Sequence, residues 1–188
     1  VDPSVSDISV SAATLLGLAT LFVSWVLYDF LWTSPLSKNT KFCNLLCLLY
    51  IAGLSYGLTQ YLSGRAAFIH IGSMFGTLMV VNVWMRILPA QREMIAATKE
   101  GRTPDYSLGK KAKQRSVHNN YITFPVLFIM LSNHFPSTYG HSLNWVTLLG
   151  LMLAGAGVRH FMNVRNQFSG LVLASSILIF FGMFFMTA

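Results

Sequence analysis

Two short runs in the sequence carry groups that could bind an anion and move a proton. Arg115, His118, Asn119 and Asn120 lie in "RSVHNNY", while Arg159, His160 and Asn163 lie in "VRHFMN", with Arg165 just beyond. Guanidinium and amide groups together grip a planar anion or a propionate through paired hydrogen bonds. An imidazole beside them can take up or release a proton near neutral pH. The same residues at a membrane interface would serve equally as snorkelling anchors that fix topology, and residue types alone leave both readings open. A second pair, His70 and His134, has the chemistry of axial ligands to a b-type haem, because two facing helices can each supply a neutral imidazole. The alternative is two hydrogen-bonded histidines near an interface.

The elements that hold these residues follow from composition. The chain has 188 residues, of which 54% are hydrophobic and only 10% charged, and its mean hydropathy is +0.56. Soluble domains carry about 25% charged residues, so this is the composition of a membrane protein. A membrane-crossing helix needs about 20 mostly apolar residues. Six such runs are expected, at 8–32, 42–62, 66–88, 117–135, 143–161 and 170–187. Their stops are "TSPLSKNTK", "SGR", Pro89, "PSTYGHS" and "NVRNQFS". The expected fold class is all-α, a polytopic bundle of six transmembrane helices forming one domain over 1–188.

Charge orients the bundle. With six crossings, twelve of the 13 Lys and Arg residues fall on one side and only Arg65 on the other. The basic side faces the cytoplasm by the positive-inside rule, which puts both termini outside, in the periplasm if the membrane is a bacterial inner one. The net charge of +7 is then topological and calls for no nucleic-acid partner. Most of it lies in 89–116, read as a basic cytoplasmic loop with a short helix-like start, a Gly/Pro turn and a basic tail, held near anionic headgroups.

Polar groups at membrane depth cost free energy unless they are paired or face a cavity. Asp29 and Arg86 both fall near the cytoplasmic ends of their spans and are expected to form a structural ion pair; Asn82 and Thr77 are expected to bridge helices, with Asn82 polar enough to mark a cavity instead. Cys43 and Cys47 read as packing residues, since an i,i+4 disulfide has poor geometry and two thiolates do not complete a metal site. No Cys-x-x-Cys-His is present, so a c-type haem would have to sit elsewhere. Pro125, in the middle of the fourth run, frees the carbonyl near Tyr121 and should kink the helix. Small residues at Gly53 and Gly57, Gly72 and Gly76, and Gly150, Ala154 and Gly157 should allow close helix packing.

Three motifs go further. "HIGSMFGTLMVVNVWMRILPAQREMI" (His70 to Ile95), "AKQRSVHNNYITFPVLFIMLSNHFPSTYGH" (Ala112 to His141) and "RHFMN" (Arg159 to Asn163) closely resemble the membrane domain of the bacterial cytochrome c-linked urate oxidase family, also called the urate oxidase N-terminal domain family. "VDPSVSDIS" followed by "WVLYDFLWTSPL" resembles the middle of that domain, so the chain reads as part of something longer, and the likeness runs from Val1 to about Asn163. Members of this family have further transmembrane helices upstream and a periplasmic cytochrome c domain downstream.

The resemblance implies oxidation of urate arriving from the cytoplasm, with electrons passed outward to a c-type haem on a separate domain or partner. In that reading His118 and His160 are the catalytic candidates, one of them a general base. Arg115, Asn119, Arg159 and Asn163 are the substrate-binding candidates, and His70 and His134 lie nearer the electron exit, where a haem b would sit. Two rivals stand beside it. One is a non-catalytic accessory subunit of a larger membrane redox or photosynthetic complex; the other is a b-type haem-carrying electron-transfer subunit. A small-molecule transporter fits less well, because the spans show no acidic relay and no paired broken helices.

Overall fold

In the computed structural model, which describes residues 2–164 and 170–187, every regular element is helical. Helix α1 spans Val10–Thr33, α2 Thr40–Tyr61, α3 Gly64–Asn82, α4 Leu88–Lys99, α5 Tyr106–Ser132, α6 Pro136–Gly140, α7 Asn144–Asn163 and α8 Gly170–Thr187. Side-chain caps set several starts. Ser9 accepts from the Ala12 amide, Asn39 from the Phe42 amide and Asp105 from the Ser107 amide. Pro35 closes α1 and opens a single 3₁₀ turn to Lys38.

Among the described residues, five helical segments are long and apolar enough to cross a membrane: Val10–Thr33, Thr40–Tyr61, Gly64–Lys99, Asn144–Asn163 and Gly170–Thr187. The fourth expected run, 117–135, lies in α5 and is not among them. Its helix is longer than expected, starting at Tyr106, and the polar stretch "KKAKQRSVHNNY" dilutes its hydropathy. Large apolar side chains such as Leu18, Phe22 and Phe30 on α1, and Leu171, Leu178 and Phe185 on α8, point away from the rest of the protein. Apolar patches of this extent need lipid or a partner to cover them. The chain is a membrane-associated helix bundle.

Pro89 does not end the third run, contrary to expectation. The chain stays helical from Gly64 to Lys99 because one π turn, Val83–Ile87, intervenes. There the Leu88 amide donates to the Val83 carbonyl, five residues back, and the widened turn makes room for a ring that has no amide hydrogen to give. Arg86 lies in this turn. The 89–116 segment accordingly holds α4 and the first turns of α5, joined through Gly101, whose φ of 70° suits glycine.

The core runs through α2, α3, α5 and α7, with Leu58, Phe68, Ile71, Met74, Ile129 and Leu148 almost fully buried. Glycine permits the tightest approaches. A Cβ on Gly72 would lie 3.1 Å from Ile129, one on Gly155 would lie 3.0 Å from the Pro125 nitrogen, and Gly150 and Gly157 press against Met183 and Ser176 of α8. Gly53, Gly57 and Gly76, expected to do the same, have nothing within 4 Å of an added Cβ. Cys43 is fully buried and donates to the Leu36 carbonyl at 3.2 Å.

Candidate functional site

The two faces of α5 sort the polar residues into two groups. Positions 115, 118, 119 and 122 share one face by helical spacing, and 120, 121 and 124 share another. The first face meets α1 and α3. Here the Asp29 carboxylate accepts from Arg86 Nε at 2.9 Å, from Arg86 Nη2, and from Arg115 Nη2 at 2.9 Å. The expected Asp29–Arg86 pair is thus a three-membered ion cluster, with Arg115 buried within it. The Arg115 guanidinium lies 4.7 Å from the centre of the Tyr28 ring.

Tyr28 connects the cluster to His118. Its hydroxyl lies 2.7 Å from His118 Nδ1, and the His118 ring packs 4.2 Å from that of Trp32. Asn82 Nδ2 donates both to Tyr28 Oη at 3.0 Å and to Asn119 Oδ1 at 2.9 Å, and Asn119 Nδ2 donates to the Met79 carbonyl at 2.9 Å. Asn82 is fully buried, which answers the alternatives left open for it: it bridges α3 to α1 and α5.

The second face meets α7. Asn120 Oδ1 accepts from Arg159 Nε and Asn163 Nδ2, each at 2.7 Å, and Tyr121 Oη lies 2.8 Å from His160 Nδ1. Arg159 sits 5.6 Å from the Phe124 ring centre. Gly155 allows α7 to approach the α5 backbone at Pro125, one turn beyond Tyr121. Arg165 lies outside the described residues.

Both catalytic candidates border one cavity of about 820 Å³ between α2, α5 and α7, lined by His118, Tyr121 and His160. Lys110, Lys113 and Gln114 line its basic end, and Pro125, Leu149 and Met152 its apolar end. A second cavity of about 390 Å³, bounded by α1, α2 and α3, also has His118 and Tyr121 in its wall. His118 therefore stands between two openings. The substrate-binding candidates do not line the larger cavity: Arg115 is held by Asp29, Asn119 by Asn82, and Arg159 and Asn163 by Asn120. Arg115 lines instead a third, more polar cavity of about 430 Å³, with Arg86 and Lys111.

His70 and His134 do not converge. His70 Nδ1 bonds the Ala66 carbonyl of its own helix at 2.8 Å, and its Nε2 would lie 2.6 Å from a Cβ on Gly17 of α1. Gly72, about 200° further round α3, is the residue that meets α5, so His70 faces away from the helix that carries His134. His134 is exposed beyond the last turn of α5. The pair does not fit a shared haem iron.

Four residues of the site escaped the reading of the sequence: Tyr28, Trp32, Tyr50 and Tyr121. Two of them, Tyr28 and Trp32, had a signal. Thr20, Ser24, Tyr28 and Trp32 recur every four residues, a stripe along α1 that faces inward, and Ser24 Oγ lies 2.8 Å from Tyr50 Oη across it.

A family model described as urate oxidase N-terminal matches residues 1–188. The match extends past Asn163, where the motif-level resemblance ended, and takes in α8. No curated protein and no solved structure matches the chain.

Proposed function

The chain belongs to the urate oxidase N-terminal family, and from that membership we propose that it is a redox membrane domain that oxidises urate drawn from the cytoplasm. In this reading α5 is the sixth crossing, buried between α3 and α7 where its polar residues are paired rather than exposed to lipid. The basic end of the bundle faces the cytoplasm of a bacterial cell and both termini face the periplasm. Electrons leave toward a c-type haem on a separate domain or partner cytochrome.

The observation that carries this reading is the cavity of about 820 Å³ with two imidazoles, His118 and His160, in its wall and two lysines at its basic end. Lys110 and Lys113 attract the urate monoanion, and the apolar end accepts a flat purine with little loss of solvation. The monoanion gives up one proton and two electrons to become the neutral dehydro form. The proton passes to an imidazole, and two ferric c-type haems take one electron each. Arg115, Asn119, Arg159 and Asn163 act by holding Tyr28, His118 and α7 in place. None of them touches the substrate.

The test is urate-dependent reduction of ferric cytochrome c by membranes that contain the protein. His118→Gln and His160→Gln should each lower kcat by about 10²-fold or more, the range of a lost acid–base or orienting group. Rates equal to wild type in both variants would refute the site. A second reading, a non-catalytic subunit packed on a larger membrane redox complex, draws on α2, whose Gly53 and Gly57 meet no neighbour in this chain. It predicts no urate-dependent reduction, together with co-purification of a stable complex that Gly53→Leu disrupts.

A further inference from the structure

The hydrogen-bond relay behind His118 determines which of its nitrogens carries the proton. The relay starts at a group of fixed polarity, the Met79 main-chain carbonyl, which can only accept. Asn119 must therefore turn its Nδ2 to Met79, at 2.9 Å, and its Oδ1 toward Asn82. An amide oxygen also only accepts, so Asn82 must present Nδ2 to it. The second hydrogen of that same Nδ2 points to Tyr28 Oη at 3.0 Å. Tyr28 Oη is thus an acceptor toward Asn82 and has one hydrogen left to give. The guanidinium over its ring, Arg115, offers donors alone. The remaining partner is His118 Nδ1, at 2.7 Å.

We infer that the Met79–Asn119–Asn82–Tyr28 relay holds neutral His118 as the Nε2–H tautomer. Nε2 has no protein partner among the described residues, and His118 lines the cavities of about 820 and 390 Å³. Its outward chemistry is that of a hydrogen-bond donor, suited to a carbonyl or enolate oxygen of a flat heterocyclic anion, and not that of a proton acceptor. This role rests on the urate reading for the identity of the ligand but not for the tautomer. His160 is then the imidazole left to receive the proton, at Nε2, which requires that its Nδ1–H donate to Tyr121 Oη at 2.8 Å; no chain of fixed donors sets the direction of that bond as it does at Tyr28. Tyr28 and Asn82 are positioning residues, since neither they nor the relay behind them need touch the substrate.

The experiment is ¹⁵N NMR of the full chain in lipid nanodiscs with ¹⁵N-histidine, the His118 signals being those absent from His118→Gln. Wild type should show a bare, hydrogen-bonded Nδ1 and a protonated Nε2 for His118, and Tyr28→Phe should mix the two tautomers. A protonated Nδ1 in wild type would overturn the inference, and so would a tautomer unchanged in Tyr28→Phe. Asn82→Leu is a second route to the same loss. Urate is then added. A shift of the Nε2–H signal places the anion's oxygen there, whereas the expected tautomer with no response to urate upholds the relay and overturns the urate reading.

Discussion

Replacing Asp29 with leucine should be among the most damaging single changes in this protein. Asp29 accepts from two arginines, and the three partners differ in exposure: the Asp29 side chain is 12% exposed, that of Arg115 4% and that of Arg86 41%. Without the carboxylate, Arg86 can swing its charge to the interface, but Arg115 cannot. It would keep its charge with no counter-ion, and one of its terminal nitrogens, Nη1, already lacks a partner. Breaking a buried pair by removing one member costs about 3–5 kcal/mol. At about 2–4 °C per kcal/mol for a chain of this size, the melting temperature in detergent should fall by roughly 6–20 °C. Arg86→Met should cost only about 1 kcal/mol, because Asp29 keeps Arg115 and the Arg86 side chain is already partly solvated. The double variant Asp29→Leu/Arg115→Met removes the orphaned charge and should recover much of the loss, with a coupling of about 2–3 kcal/mol in a double-mutant cycle. A fall of less than about 3 °C for Asp29→Leu, or strictly additive effects, would show that the cluster does not hold α1 to α3 and α5.

Other expectations concern packing, electrostatics and capping. Gly64→Ala drives a methyl group into the Tyr139 carbonyl and to 2.7 Å from Asn144 Nδ2, so α3 must shift from α6 at a cost of about 1–3 kcal/mol; Gly53→Ala, with open space around it, should be neutral or gain up to about 1 kcal/mol of helix propensity, both read from melting temperatures. Lys110→Gln and Lys113→Gln should each raise the KM for urate about 2- to 5-fold with little change in kcat, and should flatten the salt dependence of kcat/KM. At the start of α5, bonds from the Ser107 hydroxyl and amide hold the Asp105 carboxyl below its ordinary value. A lowered folded-state pKa means that the cap is intact above the usual carboxylate range and is lost as pH falls through the lowered value. Amide exchange in the first turn of α5, corrected for intrinsic rates, should therefore quicken on acidification, and Asp105→Ala should remove that dependence.

How far the sequence revealed all this varies with the kind of signal. Hydropathy runs exposed the five segments, among the described residues, that are long and apolar enough to cross a membrane, because lipid demands long apolar stretches. The same signal is weak in α5, where paired polar groups replace apolar ones. The Asp29–Arg86 pair was legible because both charges fall at the same depth of their helices. Arg115 as its third member was not, because its sequence neighbours suggested one cluster where helical geometry makes two. Reading 115, 118 and 119 as one face and 120 and 121 as the other would have separated them. The π turn has no signal of its own in "VWMRI". It becomes necessary only when tertiary packing keeps the chain helical through Pro89. For His70 and His134 the residue type suggested a haem, but type carries no direction, and the two side chains point apart.

If the proposed site binds an anion, Arg115 and the two lysines divide the work between cations that never meet each other's partner. An arginine as deeply buried as Arg115 needs a permanent counter-ion, so Asp29 takes its Nη2 and neutralises the charge an anionic substrate would want. What Arg115 then supplies is position: stacked on Tyr28, it fixes the phenol that bonds His118. The lysines at the basic end lie in solvent, carry no such partner in the structure described, and can trade water for substrate. In that reading, charge that attracts and charge that orders are placed on different turns of α5, three to eight residues from His118. Moving a lysine inward to tighten binding would require its own carboxylate, and the attraction would be lost to that pair.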